Sequence, residues 1–252
     1  MNLIIATLLI CNVGGPGTTR QAQPTVDKFL RRLEKVGGWK AHEVAGTYLT
    51  RLAACDRYVA EKKPSMIVTD LVTYLERQAQ WKLVPLAHMG QAEATRYHVL
   101  VPEGSAKKLG DLKGKVFVTT LAKHPKFLSK IVFGGKLDVT SYFGLKRTRR
   151  PLKGLRKVAR GQAAATLVDD LAYKFLGELK LPKKLVSIYA SKRLPGLTLS
   201  SVGKDAGLKK RVLASLSKLC KGPGAALCKT FRVHTFAPAK MAIYRRLTKQ
   251  YR

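Results

Sequence analysis

Short apolar runs alternate along this chain with longer amphipathic segments of helical periodicity, and this alternation constrains the fold more than any other feature. The apolar runs predict strands at Leu3–Ile10, His42–Leu49, Ser65–Thr69, Lys82–His88, Tyr97–Val101, Lys115–Thr120, Asp138–Leu145, Ala163–Val168, Leu185–Ala190 and Thr198–Val202. The amphipathic segments predict helices at Gln23–Val36, from a Thr50 cap to Lys62, and at Leu71–Gln80, Pro125–Val132, Pro151–Arg160, Leu171–Leu179, Ala206–Cys220 and Pro238–Arg252. The pattern is typical of an α/β protein whose helices cross between parallel strands.

Such proteins bind ligands beyond the carboxyl ends of their parallel strands. The predicted ends are Cys11–Thr19, Tyr48–Thr50, Asp70–Tyr74, Thr119–Lys126 and Asp169–Asp170. We therefore look for ligand-binding side chains in these five segments.

The first ten residues are apolar and admit two interpretations. They resemble the core of a secretory signal peptide, but they lack a basic start and a small-x-small cleavage site. We expect residues 2–10 to form a buried first strand, with the natural signal peptide removed upstream and Met1 added. No apolar run approaches the roughly 18 residues that span a bilayer.

The four cysteines are Cys11, Cys55, Cys220 and Cys228, and no CxxC pair supports a zinc or thioredoxin-like site. A Gly-Pro-Gly turn between Cys220 and Cys228 would bring these two together. Cys11 would meet Cys55 if the ends of the first two strands are neighbours. Two disulfides, typical of an oxidising compartment, and four buried thiols both remain open.

The chain is strongly basic, with 48 Lys and Arg against 15 Asp and Glu and a net charge of +33. Residues 96–252 hold 36 of the basic and 7 of the acidic side chains. The densest cluster begins at Lys146–Arg150 and continues through Arg160. Such a field attracts nucleic acid or an anionic membrane surface, for which Arg147–Arg160 is the candidate segment. Because the charges are dispersed and no basic stripe is interleaved with aromatic residues, we interpret them chiefly as a lysine-rich surface, and nucleic acid as the weaker alternative.

Three segments resemble type 2 periplasmic substrate-binding proteins, and most closely the phosphate/phosphonate-type ABC-transporter family. Tyr97–Phe117 is similar to a strand entering the second lobe, followed by the family's Ser-x-x-x-Leu-x-Asp-Leu-Lys-Gly-Lys turn. That turn is matched by Ser105, Leu109, Asp111, Leu112, Lys113, Gly114 and Lys115. Val158–Asp170 is similar to a helix-to-strand segment of the family, with Ala164 in place of the usual acidic residue, and Thr235–Lys240 to the Phe-x-Pro motif before the last helix.

The resemblance implies two Rossmann-like α/β lobes joined by a hinge, with a ligand held in the interlobe cleft. Lobe 1 would hold residues 1–93 and 191–252, and lobe 2 residues 94–190. The resemblance also implies a periplasmic or extracytoplasmic location and delivery of the ligand to an ABC permease or another envelope transport component. It implies no enzyme activity and no cofactor.

The resemblance implies that two tyrosines, Tyr48 and Tyr97, approach the ligand, although each also fits a half-buried strand residue. From their positions at strand ends, Asp70 and Asp169 are further candidates, with capping of the following helix as the alternative. Thr18 and Thr19 follow the first strand in a glycine-rich turn that lacks nucleotide-binding spacings.

The family binds its oxyanion on a Ser-Thr-Ser-Gly run at a helix N-terminus, and this chain departs from it. The matching run is Lys123-His124-Pro125-Lys126, in which the hydroxyls are lost and proline donates no N–H. Thr119, Thr120, Lys123 and His124 are the candidate replacements. The departure opens an alternative in which the cleft holds an apolar, lipid-like ligand such as a sterol.

Catalytic motifs are absent from the sequence. There is no GxSxG elbow and no HExxH, and the histidines at 42, 88, 98, 124 and 234 are scattered. We therefore predict a ligand-capturing protein with no catalytic residues and no metal site.

Overall fold

The fold is taken from a computed structural model, which describes residues 6–15, 17–89, 95–203, 205–230, 233 and 235–252. Residues 3–5 of the predicted first strand and residues 93 and 94, at the predicted boundary between the lobes, lie outside these ranges. The chain forms two compact units. The first unit comprises Met1–Ala94 and Pro195–Arg245, and the second comprises Thr95–Leu194 and Arg246–Arg252.

The elements follow the predicted alternation in chain order. Up to residue 94 they are β1 (Ala6–Cys11), α1 (Thr19–Gly37), β2 (Val44–Leu49), α2 (Leu52–Lys62), β3 (Met66–Thr69), α3 (Leu71–Arg77) and β4 (Leu83–Met89). From 95 to 194 they are β5 (Tyr97–Pro102), β6 (Val116–Thr119), α4 (Pro125–Phe127), α5 (Val139–Tyr142), β7 (Gly144–Arg147), α6 (Pro151–Ala159), β8 (Ala165–Asp169), α7 (Asp170–Lys174) and β9 (Leu185–Ala190). Thereafter they are β10 (Leu197–Val202), α8 (Ala206–Leu219), α9 (Gly224–Thr230), β11 (Phe236–Pro238) and α10 (Met241–Tyr251). Single 3₁₀ turns span Leu109–Leu112 and Leu176–Glu178, and α4 continues as a π-helical turn, Leu128–Val132.

The first unit is built on a six-stranded mixed sheet in the order β11-β4-β10-β3-β1-β2. β1 is parallel to both β2 and β3, with Ile10 opposite Tyr48 and Cys11 opposite Thr69. β10 is antiparallel to β3 and β4, between which it lies. The carboxyl ends of β1, β2 and β3 therefore meet at one edge of this sheet.

The second unit is built on a five-stranded mixed sheet in the order β7-β6-β8-β5-β9. β6 is parallel to β7 and β8, whereas β5 is antiparallel to β8 and β9. Tyr97, the first residue of β5, is therefore opposite Asp169, the last residue of β8. The predicted α/β class with two lobes is confirmed, and the sheets are mixed because β4, β5, β9, β10 and β11 make antiparallel pairs.

Each unit has its own apolar core. In the first unit α1 packs Val26, Phe29, Leu30 and Leu33 against the sheet. In the second unit α6 packs Leu155, Val158 and Ala159 onto Leu100, Val118 and Val168 of the sheet. These are the faces that helical and strand periodicity predict.

Helix α1 begins at Thr19, four residues before the predicted start at Gln23. Thr18 caps it, because its hydroxyl accepts the N–H of Gln21 and the Gln21 side chain accepts the N–H of Thr18. The capping box starts the helix ahead of Pro24, so this proline lies inside α1 and not in its first turn, where the sequence predicts it. In α2 the prediction of a Thr50 cap is wrong, since Arg51 occupies the cap position and makes no side-chain bond.

The predicted strand Asp138–Leu145 is wrong over most of its length. Asp138 accepts the N–H of Thr140 and starts the short helix α5, and the strand β7 follows it at Gly144–Arg147. The β-branched residues Val139 and Thr140 favour a strand by propensity, but the aspartate cap directs the backbone into a helical turn.

Two disulfides are present, Cys11–Cys55 and Cys220–Cys228, which decides between the bonded and the free-thiol alternatives. The first ties the end of β1 to α2, and the second ties the end of α8 to α9. The segment that was predicted as a turn between Cys220 and Cys228 also holds the start of a helix.

Among the helices that the structure describes, none has both the length and the apolarity needed to cross a membrane.

Candidate functional site

Two polar side chains, those of Asn12 and Tyr48, converge on the turn that follows β1 in the first unit. Asn12 donates from Nδ2 to the Tyr48 hydroxyl at 3.4 Å. A Cβ at Gly15 would overlap both the Asn12 amide and the Tyr48 hydroxyl, so only glycine fits at this position. The turn thus packs backbone directly against two polar groups at the carboxyl edge of the sheet.

Tyr48 and Thr19, both predicted as ligand-binding, are brought together here. The Thr19 hydroxyl donates to the backbone oxygen of Tyr48 at 2.8 Å, which ties the start of α1 to the end of β2. The Tyr48 side chain is 7% exposed. Burial raises the pKa of its hydroxyl, and the bond from Asn12 lowers it less. The phenol therefore stays protonated at neutral pH and remains a hydrogen-bond donor.

Thr18 and Asp70 are both helix caps at this edge. Thr18 is exposed and closes the capping box of α1. Asp70 accepts the N–H of Thr73 at 2.7 Å and caps α3, which is the alternative that the sequence left open. Their roles toward a ligand stay predictions.

In the second unit, Thr119, Thr120, Lys123 and His124 follow one another in the turn after β6. Thr119 is 1% exposed, and its hydroxyl accepts the N–H of Leu121 at 3.1 Å. The Thr119 hydroxyl therefore shapes the turn, whereas Lys123 is exposed and Thr120 and His124 are half-buried. His124 precedes a helix of only three residues that begins at Pro125, and it makes no side-chain capping bond.

Tyr97 and Asp169 lie at the same edge of this sheet, paired across β5 and β8. The Tyr97 ring meets Phe127 edge-on, with 6.1 Å between ring centroids. Asp169 accepts the N–H of Ala172 at 2.8 Å and caps α7. Capping, the alternative that the sequence left open for Asp169, is therefore observed at this residue.

Asp170 instead forms a hydrogen-bonded network that sequence reasoning missed. Its carboxylate accepts from His98 Nε2 and from the backbone N–H of Arg96, both at 2.7 Å. Burial raises the Asp170 pKa, but the hydrogen bonds from His98 and from the Arg96 backbone, together with the charges of His98 and Arg193, lower it by more, so the net shift is downward. The spacing of residues 98 and 170 gave no signal, because the pair forms only through the β5–β8 register.

Two more residues at these edges were missed. Asn12 lies in the predicted strand-end segment Cys11–Thr19, and that position was the available signal. Arg147 lies opposite Thr119 in the β6–β7 pair and is exposed. The incorrect strand at Asp138–Leu145 ended before Arg147 and concealed its place at the edge.

Among the described residues, no cluster of three or more His, Cys, Asp or Glu side chains has the arrangement to hold a metal ion. What the edges offer is hydroxyl and amide donors in the first unit and cations with a tyrosine in the second.

No protein-family profile matches the chain, and no curated protein matches its sequence. Solved structures do match. A protein from Xanthomonas citri with bound ATP, XAC2383, aligns with a TM-score of 0.72 and 12% identity over 98% of this chain and 96% of that one.

Two further matches are transport proteins by description. A binding protein component of an ABC phosphonate transporter from Pseudomonas aeruginosa aligns with a TM-score of 0.66 and 12% identity, over 96% of this chain and 85% of that chain. The periplasmic aliphatic sulphonate binding protein SsuA from Escherichia coli aligns with a TM-score of 0.64 and 16% identity, over 98% and 90%. These likenesses show that the chain has the type 2 periplasmic binding protein fold.

Proposed function

We propose that this chain is an extracytoplasmic solute-binding protein that captures a small oxyanion of the phosphate or phosphonate class. It would deliver this ligand to an ABC-type transporter or another envelope partner. The observation that carries the proposal is the likeness over 96–98% of the chain to proteins described as phosphonate and sulphonate binding components. The two disulfides support a location in an oxidising compartment.

The polar groups at the strand ends suit an anion. Oxyanions are bound by N–H donors, neutral hydroxyls and cations. The protonated Tyr48 hydroxyl and the Thr18–Thr19 helix start supply donors in the first unit, and Thr120, Lys123, His124 and Tyr97 supply donors and positive charge in the second. Asp70 and Asp169 would accept bonds from a protonated ligand oxygen.

The test is calorimetric titration with inorganic phosphate and with methylphosphonate at constant ionic strength. We expect one of them to bind, and Tyr48→Phe and Lys123→Ala each to weaken it about tenfold, since a hydrogen bond to a charged group contributes about 1.5–3 kcal/mol. Tyr58→Phe is the matched control, because Tyr58 is a half-buried tyrosine on α2. Equal weakening by the control would contradict the assignment of Tyr48.

An apolar, lipid-like ligand is the second candidate, and the replaced anion run at Lys123–Lys126 favours it. Neither of the two transport proteins compared above is described as carrying a lipid. Native mass spectrometry before and after solvent extraction separates the candidates, because a lipid that co-purifies would displace the oxyanion proposal. Tight binding of duplex DNA together with no response to either ligand would exclude both.

A further inference from the structure

Large apolar side chains are exposed mainly in one stretch of the second unit. Among the residues that the structure describes, five such side chains are exposed, and four of them lie between residues 152 and 175. They are Leu152, Leu171, Tyr173 and Phe175, with 36–48% of each residue exposed. Phe175 is the most exposed of the five, and Met241, on α10, is the fifth.

The two helices that carry these side chains cover the same face of the second sheet. Leu155, Val158 and Ala159 of α6 share one apolar cluster with Ala172 and Leu176, which lie in and just after α7. With those residues turned inward, the opposite sides of both helices face solvent on the same side of the unit. Leu171 and Phe175 are one helical turn apart on the outward side of α7.

The α6 part of this side is also strongly cationic. Arg147, Arg149, Arg150, Lys153 and Arg156 are all exposed, and the sequence from Val139 to Val168 contains no Asp or Glu. The arginines at 149 and 150 stand at the start of α6, whose first turn has no acidic residue and whose cap position makes no side-chain bond. Cations at the positive end of a helix dipole destabilise the helix, so folding gives no reason for them here.

We propose that the α6–α7 surface docks the protein on an anionic lipid bilayer. This surface comprises Arg147, Arg149, Arg150, Leu152, Lys153, Arg156, Leu171, Tyr173, Lys174 and Phe175. Basic side chains bind anionic headgroups, while exposed Leu, Phe and Tyr side chains enter the boundary between headgroups and acyl chains. A nucleic-acid backbone would use the charges, but it would leave Leu171 and Phe175 in water.

The test is co-sedimentation with vesicles of phosphatidylcholine, with and without about one-third phosphatidylglycerol. We expect binding only to the anionic vesicles. Replacing three arginines that lie outside the candidate ligand site (Arg149→Gln, Arg150→Gln, Arg156→Gln) should weaken it at least about tenfold, since each basic residue near the surface contributes about 1 kcal/mol. The matched control removes three exposed lysines of α8 (Lys209→Gln, Lys210→Gln, Lys218→Gln) and should change binding less than about threefold by long-range charge alone.

The apolar half of the surface is tested separately with Leu171→Ser combined with Phe175→Ser. We expect binding to fall about tenfold, because two exposed apolar side chains no longer leave water. Met241→Ser, which changes the exposed apolar residue of α10, should have no effect. Circular dichroism checks that each variant is folded. We expect all of them to fold, because the substituted side chains are exposed.

Three results would overturn the proposal. The first is that the Leu171→Ser, Phe175→Ser variant binds the vesicles as well as the wild type does. The second is that the protein binds duplex DNA as tightly as it binds the anionic vesicles. The third is that a short-chain lipid, below its micelle concentration, displaces the protein from the vesicles. The last would mean that a single lipid molecule, rather than a bilayer, is recognised. Phosphate or methylphosphonate titration of the same variants is read separately, so docking and ligand capture fail independently.

Discussion

His88, Tyr244 and Thr198 form a fully buried hydrogen-bonded chain in the first unit. The backbone N–H of Lys240 donates to His88 Nε2 at 3.3 Å, which leaves the proton of a neutral ring on Nδ1. That Nδ1–H then donates to the Tyr244 hydroxyl at 3.0 Å, and the hydroxyl donates to Thr198 Oγ1 at 2.7 Å. Burial raises the Tyr244 pKa well above its usual range, so the phenol remains a donor. The chain joins β4, β10 and α10.

Tyr244→Phe should therefore lower the free energy of unfolding by about 1–3 kcal/mol, because two buried polar groups lose a partner. Urea denaturation followed by circular dichroism measures this. Tyr58→Phe, which changes a half-buried tyrosine on α2, serves as the control and should stay within about 0.5 kcal/mol of the wild type. Equal losses in the two variants would mean that the chain contributes no specific stability.

Asp169 and Asp170 are adjacent carboxylates with different tasks. Asp169 caps α7, a role in which asparagine serves equally well. Asp170 accepts from His98, which is 8% exposed and stacks on Tyr173 with 4.1 Å between ring centroids. The Asp170 pKa is lowered in the folded protein, so its charged form stabilises the fold.

Asp170→Asn should destabilise the protein by about 1–2 kcal/mol at neutral pH, since a bond to a charged group is lost. A lowered folded-state pKa contributes stability above the unfolded pKa of about 4, and that stability is lost as the pH falls through the folded value. Urea midpoints should thus differ at pH 7 and converge below about pH 4. Asp169→Asn is the control and should differ little at either pH. A gap for Asp170→Asn that persists at low pH would contradict a stabilising role of the charged Asp170 carboxylate.

At the scale of elements, apolar periodicity predicted nearly every strand, because the residues that a strand buries in the core are apolar and close together in the sequence. β9 was predicted at its exact bounds, Leu185–Ala190. The errors at the start of α1 and at α5 arose where a single side-chain cap decides the backbone. Caps compete with propensity over three or four residues, a distance at which hydrophobic patterning carries no information.

The two disulfides should differ in what they contribute. The Cys11–Cys55 bond closes a sequence separation of 44 residues and the Cys220–Cys228 bond one of 8. Loop-closure entropy then predicts losses of about 4 kcal/mol for Cys11→Ser with Cys55→Ser, and about 2.5 kcal/mol for Cys220→Ser with Cys228→Ser. Guanidinium denaturation of the two double variants measures the order, and a reversed order would show that native-state packing dominates over chain entropy.

At the scale of the whole molecule, the net charge of +33 means that the basic side chains within one folded molecule repel one another. Compaction brings like charges closer than they are in the unfolded chain, and salt screens this repulsion over about 10 Å at 0.1 M. Few ion pairs among the described residues offset this repulsion. Among those that the structure describes, Arg77–Asp56 and Lys184–Glu103 join side chains that are both partly exposed.

Raising the sodium chloride concentration should therefore increase the urea midpoint. The triple variant Lys209→Gln, Lys210→Gln, Lys218→Gln should start from a higher midpoint at low salt and gain less from added salt. An unchanged midpoint across the salt series would mean that the charges are already neutralised by bound counterions.

For the candidate site, the sequence predicts which strand ends carry polar residues. It does not predict which of these residues contact one another. The family resemblance predicted Tyr48, the position after the first strand predicted Thr19, and the structure brings the two together. The pairing of Asp170 with His98 and the place of Arg147 beside Thr119 depend on strand register. Register is set by contacts between segments that are distant in sequence, so local patterns do not reveal it.

Strand β10 lies between β3 and β4, although about a hundred residues of the other unit separate it from them along the chain. A ribosome makes β3 and β4 early, but β4 cannot join the sheet beside β3 until β10, Leu197–Val202, has emerged between them. The larger sheet therefore lacks the β3–β10 and β10–β4 pairings until about four-fifths of the chain has been synthesised. For the extracytoplasmic location proposed above, this order of synthesis would leave the larger sheet incomplete while most of the chain passes a translocation channel.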